Sequence, residues 1–546
     1  MLKYFSKRLL QLIPVILGVT LLVFMIMQLA SGDPARLILG ELATQEQVDE
    51  LREEMGLNDP VLIQYGRYIF NCLKGDFGTS YIKSRSVTAE VLSQFPNTMK
   101  LAVVSLILTV ILSVPLGIWA SIKQNSPIDS GIMVFSLIGI SMPVFWLGLL
   151  LMIIFSLQLN LLPPSYDGTF ASYILPAVCL VFPNMSTVTR TTRSSMLETI
   201  RQDYVRTARA KGCTKKATIY KHAFSNALIP TITVVGIQMG QQPVFLREEG
   251  RANKMTSNPA QTVHARGQFE EVWVRFRKNK MAVIGMIILI VIVLLAIFAD
   301  VLYDYETFCV KMNVPERGLP IGTPGHILGT DTYGRDMCAR LIHGARYSLS
   351  ISFSSVIMSM LLGGVIGAIS GYYGGRLDDV LMRIIDIIMA VPMTMLAIVI
   401  VAALGPSVQN MVIALTVSQI PSFARVVRGS VLTVKDAEYV EAARAIGARD
   451  TTIILRDIVP NILSPVVVQV AIRTAASITN AAALSFLGLG VAAPAPEWGA
   501  MISFGRAYIR DYSYLTYLPG LAMMITILSL NLLGDGLRDA MDPRLR

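Results

Sequence analysis

Uncharged apolar runs decide which folds are open to this chain. They cover residues 9–32, 101–122, 130–166, 168–189, 281–299, 347–375, 387–424 and 512–534. About 20 apolar residues in helical form cross the hydrocarbon of a bilayer, and two of these runs can hold a pair of spans or a span with an apolar loop. Splitting 387–424 at Gly405, Pro406 and Ser407 leaves four helices before residue 200, four between 281 and 424, and a ninth that closes the chain. Weaker candidates lie near 226–242 and 459–482. A water-soluble core cannot bury nine such segments, and the 15% of charged residues falls below the roughly 25% of soluble domains. The expected fold is an all-α polytopic membrane protein with about ten complete transmembrane helices.

The formal net charge of +10 would suit nucleic acid, but Lys and Arg stand in short loops beside apolar runs. Retention of basic loops in the cytoplasm explains that placement, and no nucleic-acid partner is expected. Lys3, Lys7 and Arg8 place the amino terminus in the cytoplasm. The run after them is too long for a secretory signal and lacks a small-residue cleavage site, so it reads as a retained helix. Residues 33–100 then fall outside, with ATQEQVDELREEMG as a short solvent-facing helix. Helices near 101–121 and 131–157 form a hairpin around SIKQNSPIDS, and one near 171–188 returns to the cytoplasm. The five cysteines contain no CxxC pair and imply no metal site; Cys309 and Cys338 share an external segment and either pair or stay free.

Polar islands between the runs carry a repeat. DYVRTARAKGCTKKATIYKHAFSN at 203–226 and EYVEAARAIGARDTTIILRDIVPN at 438–461 lie 235 residues apart. At that offset, without gaps, Arg190, Arg193, Ser195, Leu197, Tyr204, Val205, Ala208, Arg209, Ala210, Gly212, Asn226 and Pro230 match Arg425, Arg428, Ser430, Leu432, Tyr439, Val440, Ala443, Arg444, Ala445, Gly447, Asn461 and Pro465. An even number of crossings between equivalent points makes the repeat parallel, with its axis along the membrane normal. Each island could be an ordinary interfacial helix, but duplication favours a docking element used twice. In the second, good helix formers lead to Gly447, which can adopt a helix-ending conformation that a side chain disfavours. Asp450 and Thr451 offer a cap for a second helix ending near Pro460.

No enzyme motif accompanies the islands. The chain has no G-x-x-x-x-G-K-[S/T] phosphate cradle, no H-E-x-x-H, no D-F-G and no convincing nucleophile elbow. His222 and His264, two of four histidines, read as local hydrogen-bonding or solvated residues. No catalytic residue, metal or cofactor is expected on this chain, and if ATP drives its action another chain must bind it.

Within residues 1–242 stand SGDPARLILG, GDFGTSY and SMLETIRQDYVRTARAKG; the second half has LGTDTYGRDMCARLIHGARYSLSI, EYVEAARAIG, ALSFLGLG and DGLRDAMDPR. These stretches resemble the permease subunits of bacterial ABC importers for dipeptides, oligopeptides and nickel. The resemblance implies a multi-pass protein of the bacterial cytoplasmic (inner) membrane that moves a peptide substrate. Its implied partners are two ABC ATPase subunits or domains and an extracytoplasmic substrate-binding protein. EYVEAARAIG, with Glu441, Ala442, Ala443 and Gly447, is similar to the "EAA" loop that contacts the ATPases; YVRTARAKG, with Arg206, Ala208 and Gly212, is similar to its counterpart in the partner permease. Asp331, Gly334, Arg335 and Asp336 read as a contact with a gate or the binding protein, or as a tight solvated turn. Asp535, Arg538, Asp539, Asp542 and Arg544 read as a charged terminus or an assembly element.

The expected division is a truncated first permease domain at 1–242, a linker and start of the second half at 243–280, and a second permease domain at 281–546. After QMGQQPVF the family's remaining helices are replaced by a polar stretch with eight Lys or Arg against four Glu between 247 and 280. If 226–242 crossed the membrane, that basic stretch would lie outside, so the segment is expected to be re-entrant or packed within protein. A complete partner permease would then make good the missing part. Alternatives are an impaired or noncatalytic assembly or regulatory protein, or an importer of nickel or another small solute. Asp457 stands where the first island has His222, and Ala481 where the resemblance calls for an acid. Arg473, inside an apolar helix, faces the translocation path, snorkels, or makes a local pair.

Overall fold

The computed structural model describes residues 2–28, 33–40, 43–80, 85–241 and 268–541. Among them seven helices are long and apolar enough to cross a bilayer, and two bent pairs raise the number to nine. Ile13–Gln28 adds a shorter apolar helix. The described strands are Thr79–Ser80 and Arg85–Ser86, which pair antiparallel. The fold is therefore an all-α membrane bundle, as the uncharged runs require.

Duplication extends through the bundle. Val87–Ile122 recurs as Met337–Tyr373 at an offset of 250, capped by Ser86 and Asp336. Pro143 and Pro392 open equivalent helices at an offset of 249. From the fourth helix onward the offset is 235, so that Asp203–Ala210 corresponds to Glu438–Ala445. A longer connection in the first half, between Gln158 and Phe170, causes the change. An ungapped comparison therefore registers only the part beyond it.

The helix expected near 131–157 is broken in two. Pro127–Ser141 and Val144–Gln158 meet at 103°, and Gly375–Ala390 and Met393–Leu404 meet at 84°. Proline at 143 and 392 cannot donate the helical hydrogen bond and collides with the preceding turn. Absence of charge identifies apolar sequence without revealing its direction.

In lipid, helix association rests on close packing more than on expulsion of water. Gly363, Gly367 and Gly371 recur every four residues where Met337–Tyr373 crosses Val408–Val434. A Cβ at Gly363 would lie 2.6 Å from the Ile420 carbonyl, and one at Gly367 would lie 2.4 Å from that of Ala424. The seam thus brings two backbones together. Its first-half equivalent is formed by Ser113, Gly117 and Ser121.

Each half lends a helix to the other. Leu2–Gln28 lies against Gly375–Ala390 and Met393–Leu404, with Val19, Leu22, Val23 and Ile26 on a second-half core that includes Leu396 and Ile400. Tyr514–Met541 lies against Pro127–Ser141 and Val144–Leu151. There the Trp146 indole donates to the Thr516 carbonyl (3.2 Å) and Asn531 Nδ2 donates to Ser141 Oγ (3.0 Å). Near the other end of the same helix, Arg190 pairs with Asp535 at 3.0 Å.

Ser225–Gln241, where the described residues of the first half stop, corresponds to the start of Val459–Phe486. It lies against Ile174–Ile200, with Ala227 and Thr231 buried and Ile229 and Ile232 exposed. Residues 242–267, most of the basic linker, lie outside the described residues, as do Asp542 and Arg544.

Candidate functional site

The islands form the same projection twice. Asp203–Ala210 and Glu438–Ala445 each make two turns of helix and end at a glycine with positive φ, +83° at Gly212 and +78° at Gly447. Ala448 N bonds back to the Ala443 carbonyl (3.1 Å), as Cys213 N does to that of Ala208 (3.2 Å), satisfying helix-end carbonyls. A Cβ at either glycine would meet nothing within 4 Å. Backbone conformation, not crowding, therefore calls for glycine there.

One face of each short helix anchors it. Val205 joins Ile118, Met196, Ala223 and Ala227; Val440 joins Val431, Ile453, Ile458 and Ile462. The opposite face is free: Arg206, Gly212, Glu441, Ala442 and Gly447 are exposed, and Ala443 is half-buried. Ala208 is 6% exposed, so it belongs to the anchoring face. Ile446 is 84% exposed at the tip. Its equivalent in the first island is Lys211, so the two tips differ in chemistry.

The second segment of the island departs from expectation. Asp450 does not cap it: Asp450 Oδ1 accepts the Tyr372 hydroxyl at 2.8 Å, while the Arg444 guanidinium lies 5.1 Å from the Tyr372 ring. Nor does helix end at Pro460. Asp450–Thr452 passes through a π turn, Ile453–Ile458, into Val459–Phe486. Pro460 falls in the first turn after the π segment, where its missing N–H does little harm. Lys215–Ala217 and the π turn Thr218–Phe224 repeat this in the first half, with Thr214 as cap.

Arginines before each island clamp it to the preceding bent pair. Arg193 Nε and Nη2 donate to Asp129 Oδ1 and Oδ2 at 2.6 and 2.7 Å; Arg428 does the same to Asp378 at 2.6 and 2.5 Å. Two parallel charge-assisted bonds fix orientation as well as distance. Each carboxylate lies in the first turn of its helix, where the dipole favours negative charge. Sequence reading found both arginines but missed both aspartates. They lie 249 residues apart whereas the arginines lie 235 apart, and a gap-tolerant comparison of SPID with GRLD would align them.

At the opposite end, the loop before Met337–Tyr373 is a buried polar network. Asp331, Arg335 and Asp336 are 1%, 5% and 2% exposed, which sets aside the solvated-turn alternative. Asp331 Oδ1 accepts from Tyr333 N and Arg335 N at 2.8 and 3.0 Å; its Oδ2 takes Arg335 Nε at 2.7 Å and lies 3.6 Å from Arg340 Nε. Asp336 caps the long helix through Ala339 N and meets His326 Nδ1 at 2.7 Å; Glu316 lies 3.2 Å from His326 Nε2. Burial opposes charge on His326, but hydrogen bonding and charge from Asp336, joined by Glu316, raise its pKa overall. Gly334 has φ +77°, and a Cβ there would overlap the Asn313 carbonyl. These side chains hold the loop's shape from within, leaving its outer surface for any partner. Cys309 and Cys338 are both free.

Arg473 Nε is buried without a hydrogen-bond partner, so the local-pair reading finds no support at that atom. Asp535, read as part of a charged terminus or of an assembly element, joins the halves through Arg190. Among the described residues no group of three His, Cys, Asp or Glu is placed to hold a metal ion.

Comparison with known proteins matches this architecture. The family description "binding-protein-dependent transport system inner membrane component" matches residues 113–242 and again 363–546. Residues 1–102 match the N-terminal segment of such membrane components, and 267–320 match the N-terminal TM domain of oligopeptide transport permease C. The dipeptide transport system permease protein of Alkalihalophilus pseudofirmus is 41% identical over 278 residues, 51% of this chain and 90% of that protein. The di/tripeptide permease protein of Pseudomonas aeruginosa is 41% identical over 280 residues, covering 51% and 92%. The glutathione transport system permease protein of Pectobacterium atrosepticum is 40% identical over 283 residues, covering 52% and 93%. Each of these relatives matches about half of the chain, consistent with two permease parts in one polypeptide.

Proposed function

The chain belongs to the family of binding-protein-dependent transport system inner membrane components, and from that premise we propose that it serves an ATP-driven importer of dipeptides or related short peptides. Two ATPase subunits or domains dock on the islands in the cytoplasm, and an extracytoplasmic binding protein delivers cargo at the opposite end. The amino terminus is cytoplasmic in this arrangement. ATP and Mg reside on the ATPases, and this chain is the mechanical component.

The observation that carries this reading is the twofold recurrence of one anchored helix–glycine–helix projection, each tied by an Arg–Asp clamp to a bent membrane helix pair. Exposed Arg206, Gly212, Glu441, Ala442 and Gly447 supply the docking surface, with Ala443 at its edge and Ala208 supporting it from below. Movement of a docked ATPase passes through the clamps to the third and fourth helices of each half. Nucleotide can drive such movement only by favouring one arrangement over the other.

The test replaces Glu441 and Gly447 together, Glu441→Ala with Gly447→Val. Membrane insertion stays intact, while ATPase co-purification and dipeptide uptake into proteoliposomes fall by about tenfold, the equivalent of some 1.4 kcal/mol. Unchanged ATPase retention and uptake would reject the docking assignment. A noncatalytic assembly role is favoured by one feature of the sequence: charges at Arg247, Glu248, Glu249, Arg251, Lys254 and Arg266 leave no apolar run of spanning length between 242 and 267. Uptake by the reconstituted wild-type chain with its ATPases and binding protein decides between the two.

A further inference from the structure

The spanning helix Val459–Phe486 carries a polar stripe. Gln469, Arg473 and Asn480 are spaced four and seven residues apart, which puts them on one face, and Ser477 lies beside them. Leu463, Val467 and Ile472 are exposed and lie off this face. Two long helices meet the stripe at Ser477, whose Oγ is 2.9 Å from Ser355 Oγ of Met337–Tyr373 and 3.5 Å from Gln419 Nε2 of Val408–Val434.

Two polar atoms here have no partner. Arg473 Nε is buried, and among the described residues no hydrogen bond or ion pair reaches this side chain. Gln419 is fully buried and its Oε1 is unpartnered. The orientation of that amide is fixed, because Nε2 donates to the Leu415 carbonyl at 3.2 Å, a group that only accepts. Ser477, one helical turn beyond Arg473, touches the Gln419 amide, which brings the orphan donor and the orphan acceptor to the same stretch of the bundle. Arg473 stands near the middle of its 28-residue helix, about 20 Å from either end at 1.5 Å per residue, too far for its side chain to snorkel. The repeat puts Gln238 at the position of Arg473 and Asn184 at that of Gln419. The cation therefore belongs to one half alone, and the bundle that both halves build does not require it.

We infer that Arg473 and Gln419 form an intramembrane subsite for the C-terminal end of a peptide, whose carboxylate takes the guanidinium while the amide N–H of its last residue donates to Gln419 Oε1. Resting on the reading of the chain as a peptide importer, the subsite assigns recognition of the cargo's terminus to the chain itself. A bare anion meets only the arginine, whereas a terminal peptide unit brings an acceptor and a donor side by side. An unpaired charge inside a span is expensive, and an arriving carboxylate offsets it. Both orphan atoms are shielded in this arrangement, so cargo reaches them in a second arrangement of the helices, which its binding then favours. Arg473 is thereby a specificity-determining residue.

The probe is an alanyl dipeptide with a diazirine on the side chain of its C-terminal residue, used as the free acid and as the C-terminal amide. The full chain, assembled with its ATPases in phosphatidylcholine nanodiscs and turning over ATP, is irradiated with each probe, and labels on 469–480 are counted by mass spectrometry. The acid should label about tenfold more than the amide, the loss expected when a charge-assisted hydrogen bond is removed. Arg473→Gln should bring the acid down to the level of the amide, and Arg473→Lys, which keeps the charge, should restore part of the difference. Gln419→Leu should weaken both probes. Excess dialanine should compete, whereas inorganic phosphate, or phosphatidylglycerol in place of phosphatidylcholine, should not. Equal labelling by acid and amide in the wild-type chain would overturn the proposal, whatever the variants do. Competition by phosphate or phosphatidylglycerol as complete as that by dialanine would also overturn it, since the site would then take any anion. ATPase retention reports the folding of each variant. Dialanine uptake by the wild-type assembly is read separately: uptake with equal labelling removes the subsite and leaves the importer, while selective labelling without uptake does the reverse.

Discussion

Substitution of Asp378 by Asn tests the clamp that joins the second island to the membrane bundle. The carboxylate accepts two N–H groups of Arg428 at 2.6 and 2.5 Å and also the Ser370 hydroxyl. An amide in its place keeps one acceptor and turns a donor toward the guanidinium. Breaking a fully buried ion pair costs about 3–5 kcal/mol, whereas exposed pairs contribute about 0–1. Side-chain exposures of 15% for Asp378 and 32% for Arg428 put this pair between those limits. A loss of about 2 kcal/mol is therefore expected. Asp129 and Arg193 are more enclosed, at 5% and 22%, so Asp129→Asn should cost more. Unfolding in mixed detergent micelles gives the stability of each single variant and of its double with Arg428→Gln or Arg193→Gln. The double-mutant cycles should give coupling of about 1–2 kcal/mol, larger for the first-half pair. Coupling below about 0.5 kcal/mol at both sites, or the reverse order, would refute the view that these bonds transmit force between island and helix pair.

Gly334→Ala forces a side chain into positive φ and onto the Asn313 carbonyl, so it should destabilise the outer loop by about 3 kcal/mol and speed proteolysis within 313–336. Gly447→Ala meets the same φ penalty in open space and should cost only about 1–2 kcal/mol in the micelle unfolding assay. His326, with its raised pKa, stabilises the loop fully below its unfolded value of about 6.5 and loses that contribution as pH rises through the higher folded value. Hydrogen exchange in 313–336 should therefore show weaker protection on the alkaline side after correction for intrinsic rates, and His326→Gln should flatten the difference.

Membership of the membrane class was legible because charge-free length is a local property. The island repeat was legible because its offset is constant from Arg190 onward, and Gly212 and Gly447 announced the ends of helices that the structure places at those positions. Asp129 and Asp378 escaped notice because the unequal connection beyond Gln158 shifts their register against the arginines they serve. A solvated turn was one of two readings of the Asp331 loop, beside a partner contact, because charged residues near glycines usually mark a surface turn. Its charges instead satisfy one another and Arg340 beneath the loop surface.

Sequence by itself determined that the chain is an apolar helical bundle containing two related permease parts, since run length, helix-ending glycines and repeated residues are written along the chain. Tertiary structure decided where Pro143 and Pro392 turn the helices, which carboxylates hold Arg193 and Arg428, and how Tyr514–Met541 joins the halves. The physical reason is that bonding between distant segments depends on helix direction and on the length of each connection. Neither quantity is carried by the residues that form the bond.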